Sequence, residues 1–209
     1  MKKFIKKLSL FGLVTLLVLA VVDVWVSYGL RKSTSNTMYT LNKIFDGKLG
    51  TDLVINGSSK ALVHFSPAIL DSVLNVNSYN LALDGTEFLV QNTQYNLLLK
   101  HNKPPKYVIQ TVSSGTLVKN IEIRNQVQFA PYINVSEVRN LAKKYEGFKC
   151  YDYYMPFVRY TGEYEQIVDG CASAFGLHLK NTAKYKGYAP RVAQWDSSFA
   201  EFKEMNSKG

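Results

Sequence analysis

The chain of 209 residues is 46% hydrophobic and 20% charged, a balance that suits a globular protein and excludes a disordered one. Of its net charge of +9, +5 falls in residues 1–32, where Lys2, Lys3, Lys6, Lys7, Arg31 and Lys32 stand against Asp23 alone. The remaining charge of +4 is spread over 177 residues with no basic stripe interleaved with aromatics, so no nucleic-acid partner is expected.

Leu8–Val22 is almost wholly aliphatic. These residues span only about 22 Å as a helix, but Phe4-Ile5 before and Val24–Leu30 after extend the stretch to a bilayer core of about 30 Å. Lys6 and Lys7 can snorkel, while Trp25 and Tyr28 suit the far interface. Four lysines before the run against two cations after it place the N-terminus in the cytoplasm. Residues 1–32 are thus expected to be a basic flank and single-pass signal-anchor, with the bulk of the chain periplasmic or extracellular. A cleaved signal peptide is the alternative: Val18-Leu19-Ala20 is a poor small-residue cleavage site, and Asp23 interrupts the apolar run.

Residues 33–50 read as a polar junction, a helix over Met38–Phe45 and a turn at Asp46–Gly50. Leu53–Ile55 is a buried strand that stops at Asn56-Gly57. Ser58-Ser59 follow, and Lys60-Ala61-Leu62 open a helix. Ser66-Pro67 start another helix through Val73. Ser78–Ala82 is a second strand ending at Asp84-Gly85, Thr86 caps a helix through Lys100, and Tyr107–Val112 is a third strand. Strands and helices alternate in βαβ-length units, which predicts an α/β fold with a parallel three-layer sheet. Residues 51–209 are taken as one extracytoplasmic domain.

Beyond the third strand the pattern weakens. Val135-Ser136-Glu137 begins a helix that runs to Tyr145. Tyr151–Gly162 is aromatic and irregular, and Tyr185-Lys186-Gly187-Tyr188 and Gln194-Trp195-Asp196 follow. These rings either pack a folded insert or form a sugar-binding face. Cys150 and Cys171 lie where a disulfide can persist, and their pairing is left open. Two cysteines and scattered histidines do not make a metal site, and no cofactor is expected.

The stretch Asn56-Gly57-Ser58-Ser59 sets a small hydroxyl at the carboxyl end of a sheet strand, where open α/β folds place their ligands. A following helix N-terminus offers free N–H groups to a developing oxyanion. Taken in order, Gly57-Ser58-Ser59, Phe65-Ser66-Pro67, Tyr79–Gly85 and Lys103–Ile109 resemble the SGNH/GDSL hydrolase superfamily, in its membrane-anchored bacterial envelope branch. The resemblance covers residues 52–112. It implies a flavodoxin-like three-layer fold and hydrolysis or transfer of an ester-linked acyl group, on acylated envelope glycans or another ester. It also implies Ser59 as nucleophile, with the N–H groups of Ser59 and Gly85 in the oxyanion hole. The third-block Asn has no clear match: Asn80 belongs to the second block, and Thr111–Gly115 sits in its place. The closing Asp-x-x-His block is missing too, since His64, His101 and His178 each lack an Asp three residues before. Because the chain ends at Asn206-Ser207-Lys208-Gly209, the sheet is expected to be incomplete at its C-terminus, with the general base beyond residue 209. The competing expectation is a non-catalytic envelope component that keeps the fold for binding or assembly, with Ser59 only capping a helix.

Overall fold

The computed structural model describes residues 1–190; Gln194-Trp195-Asp196 and Asn206–Gly209 lie outside the described residues. Helix α1 runs Lys2–Leu30, about 43 Å at 1.5 Å per residue. Among the described residues it is the one helix long and apolar enough to cross a membrane. Its first two-thirds is mostly exposed, whereas Asp23, Val26, Ser27, Gly29 and Leu30 are buried. Asn42 Nδ2 donates to the carbonyls of Leu30 at 2.8 Å and Ser33 at 3.0 Å, satisfying groups that a helix C-terminus leaves open. This fixes α1 against α2 (Asn36–Asp46). Residues read from sequence as anchor and linker therefore contribute Val26, Leu30, Met38, Leu41 and Ile44 to the core.

Strands β1 (Leu53–Asn56), β2 (Ser78–Asn80) and β3 (Tyr107–Gln110) form a parallel sheet in the order β2-β1-β3, with Leu53 opposite both Ser78 and Tyr107. Central β1 is buried throughout, so Leu53, Val54 and Ile55 are apolar in succession rather than alternating. Helices α3 (Ser59–His64) and α4 (Pro67–Leu74) link β1 to β2, and α5 (Phe88–His101) links β2 to β3. Val54 packs in one cluster with Leu97 and Leu98 of α5 and with Leu41 and Ile44 of α2. Leu53 and Ile55 pack in another with Ala61 and Leu62 of α3 and Leu70 of α4. The sheet is small and parallel, with helices on both faces, as the alternation of elements predicts.

Two strands end sooner than expected, β2 at Asn80 and β3 at Gln110. Asn80 turns its side chain onto the backbone: Oδ1 accepts from Ala82 N–H, while Nδ2 donates to the carbonyls of Ala61 and Phe65. These bonds tie the chain leaving β2 to α3, while the Leu81 and Leu83 N–H groups still donate to the Ile55 and Gly57 carbonyls. Helix α5 starts after Thr86, whose hydroxyl donates back to Leu83 O at 2.9 Å, leaving Glu87 at the N-cap. Helix α6 (Ser136–Ala142) stops short of Tyr145. Helix α7 (Tyr164–Ala174) has no counterpart in the sequence reading. It lies antiparallel to α1, with Gly170 against Gly29 and Phe175 against Trp25. The aromatic stretch between α6 and α7 folds as 3-10 turns at Cys150–Tyr153 and Val158–Tyr160, with Tyr160 fully buried. Cys150 and Cys171 are both free, so no disulfide joins them.

Candidate functional site

The serine turn is held by three neighbouring chain segments. Leu83 N–H, after β2, donates to Gly57 O at 3.2 Å, and Thr111 N–H, after β3, donates to Asn56 O at 2.9 Å. A Cβ on residue 57 would lie 2.0 Å from Thr111 Oγ1 and 2.8 Å from Ala61 Cβ, so only glycine fits between β3 and α3 here. Ser58 takes the N-cap position of α3 without a side-chain capping bond, and Ser59 is the first residue of the helix. Both serines are half-buried at the carboxyl end of the central strand.

Beneath the turn lies an amide cluster that sequence reasoning missed. Asn56 Nδ2 donates to Gln110 Oε1 at 2.9 Å, and Gln110 Nε2 donates to Gln91 Oε1 at 2.8 Å. Asn56 Oδ1 is buried with no partner among the described residues. An amide closing an otherwise apolar strand was the available signal, since a buried side chain of this kind must find partners.

Gly85 follows β2 in a left-handed turn, φ +64°. Its carbonyl accepts from Asn120 Nδ2 at 3.2 Å, and the Asn120 N–H donates to Glu87 Oε2 at 3.1 Å. The other Glu87 oxygen accepts from the Tyr145 hydroxyl. Burial, together with the bonded Glu87 carboxylate, holds the Tyr145 hydroxyl well above the usual tyrosine range. These bonds pin residues 119–122 beside Gly85. With Glu163 and Gln166, the segment 119–127 and Gly85 line an open cleft of about 920 Å³. Ser59 is not among its lining residues. The structure thus brings Ser59 and Gly85 to the same end of the sheet, but Gly85 alone reaches the cleft.

The three histidines lie apart from the serine turn. His64 is the exposed last residue of α3; five helical positions from Ser59 turn it about 140° around the axis and carry it about 7.5 Å along. His101 ends α5 and packs against Phe45, with ring centroids 5.0 Å apart. It stands at the amino end of the sheet, where Asn102 Oδ1 accepts from Leu49 N–H just ahead of β1. His178 is exposed in the loop after α7. Among the described residues no group of three or more His, Cys, Asp or Glu side chains is placed to hold a metal ion. Of the aromatic stretch, Tyr153 packs against Phe148, while Tyr151 and Tyr154 are exposed.

The chain matches no protein-family model, no curated protein and no solved structure.

Proposed function

We propose that this chain is a membrane-anchored, SGNH-like protein of the cell envelope that hydrolyses or transfers ester-linked acyl groups on glycans. In this reading Ser59 is the nucleophile, and the N–H groups of Ser59 and Gly85 are the oxyanion donors. The fold is a flavodoxin-like three-layer sheet, and α1 is an uncleaved anchor with a cytoplasmic N-terminus. One observation carries the proposal: the serine turn stands at the carboxyl end of the central strand, between the ends of β2 and β3. In a parallel sheet of order 2-1-3 this is the point where successive crossovers part, the place that open α/β folds use for ligands. Acyl transfer to a serine needs a base for its proton and donors aimed at the oxyanion, and no further group.

A second reading, a non-catalytic binding or assembly component, is favoured by the positions of His64, His101 and His178, none of which adjoins Ser59. An external base separates the two. The full chain in detergent is given a simple acetyl ester, with and without imidazole, beside Ser59→Ala and Ser58→Ala variants. A catalytic serine gives an imidazole-dependent rate that Ser59→Ala abolishes and Ser58→Ala largely keeps. Equal rates for wild type and Ser59→Ala, both folded by circular dichroism, leave the assembly reading.

A further inference from the structure

We infer that the face of the domain around the exit of α1 is seated in the interface of a phospholipid bilayer. The inference rests on reading α1 as a spanning anchor and adds a second, independent contact with the same membrane.

The exit point is marked by Asp23. Its carboxylate is held inside the domain, accepting from Phe157 N–H at 3.0 Å and from Arg159 Nη2 at 2.8 Å. Phe4–Val22, ahead of it, spans about 28 Å as a helix, close to the thickness of a bilayer core. Residues level with Asp23 and Trp25 therefore stand at the boundary between hydrocarbon and headgroups whenever α1 crosses.

Two loops reach that level. The antiparallel course of α7 brings Phe175 onto Trp25, with ring centroids 5.3 Å apart. The bond from Phe157 to Asp23 brings the loop containing Tyr154 and Met155 to the same turn of α1. The side chains these loops present are open: Tyr154 is 81% exposed, Phe175 73% and Leu177 64%. Met155 and, on α1 itself, Val24 and Trp25 are exposed beside them. The two charges bonded at the exit of α1, Asp23 and Arg159, are paired, with side chains only 13% and 9% exposed. A ring of aromatic and apolar side chains, continuous with an apolar helix and with the exit carboxylate paired inside the domain, has the composition of a membrane-interface belt. An apolar face of this kind in water would instead be a liability.

The test uses full-length chains with Cys150 and Cys171 replaced by Ser, each carrying one new cysteine labelled with an environment-sensitive dye. The positions are Leu13→Cys within the span, Tyr154→Cys and Phe175→Cys on the seat, and Val73→Cys on α4. The chains are placed in phosphatidylcholine vesicles, with and without a headgroup-proximal spin-labelled lipid. Labels at 13, 154 and 175 are expected to emit to the blue, and those at 154 and 175 to lose about half of their emission to the quencher, while the label at 73 keeps its aqueous spectrum. A lipid-buried label at 13 with aqueous spectra at 154 and 175 overturns the seat and leaves the anchor standing. Blue-shifted but unquenched labels at 154 and 175 mean that a second copy covers the face, which also overturns it. Aqueous spectra at 13, 154 and 175 overturn the anchor and the seat together.

Discussion

Asp23 interrupts the apolar run of α1 without presenting a free charge, because both of its carboxylate oxygens are bonded within the domain. Arg159 in turn reaches Ser27 Oγ at 3.2 Å, and Ser27 shares a hydrogen bond of 2.8 Å with the Tyr160 hydroxyl. The side chains of Arg159 and Asp23 are only 9% and 13% exposed, so desolvation is a large part of the energetics. Such a pair adds little over well-packed apolar residues, whereas losing one partner strands the other charge. Asp23→Ala is therefore expected to cost about 3–5 kcal/mol, and the double variant Asp23→Ala, Arg159→Met far less. Urea unfolding of the three proteins in one detergent measures both. A double variant as unstable as the single one would show that the cost is lost packing rather than an orphaned guanidinium.

Between elements, the tightest contact is the crossing of α1 and α7. A Cβ on residue 29 would stand 1.7 Å from the Gly170 carbonyl oxygen, so backbone meets backbone with no side chain between. Two effects oppose each other at this position. Gly→Ala in a helix interior is worth up to about 1 kcal/mol by propensity, but forcing a methyl group into a filled contact costs about 1–3 kcal/mol. Packing wins here because the obstruction is backbone and cannot rotate away. Gly29→Ala is thus expected to destabilise the domain and to open the 175–180 loop to limited proteolysis. Gly12→Ala, where nothing lies within 4 Å, leaves the cleavage rate unchanged. The same crossing shows what the sequence could not reveal. The β1, β2 and β3 strands were legible because short apolar runs met breakers such as Asn56-Gly57 and Asp84-Gly85. The serine turn was legible for the same reason. Helix α7 was not, because the surface it covers belongs to a helix whose composition speaks for lipid. The 119–127 wall of the cleft was hidden too: it has almost no regular structure, and Glu87, distant in sequence, fixes it through a side chain.

At the scale of the whole molecule, α1 is both the apolar segment and a core element, and this couples topology to folding. Asp23, Val26 and Leu30 can take their buried places only if the helix emerges on the side where residues 33–190 fold. Lys2, Lys3, Lys6 and Lys7 ahead of the run oppose translocation of the N-terminus, since cationic flanks stay on the cytoplasmic side. The folding requirement is met on either side of a membrane, so the lysine flank alone carries the orientation proposed above, with the domain outside. Alkaline phosphatase fused after Ser35 and expressed in a bacterial host is therefore expected to be active, and green fluorescent protein at the same point dark. Replacing the four lysines by Gln is expected to lower the phosphatase signal, because the cue that orients the helix is then gone while its hydrophobicity is kept. For the unfused chain, an epitope placed before Met1 should remain with the domain in the carbonate-washed membrane fraction. Recovery of the domain without the epitope in the soluble fraction would mean cleavage ahead of Asp23, and would remove the anchor while leaving the Asp23–Arg159 pair in place.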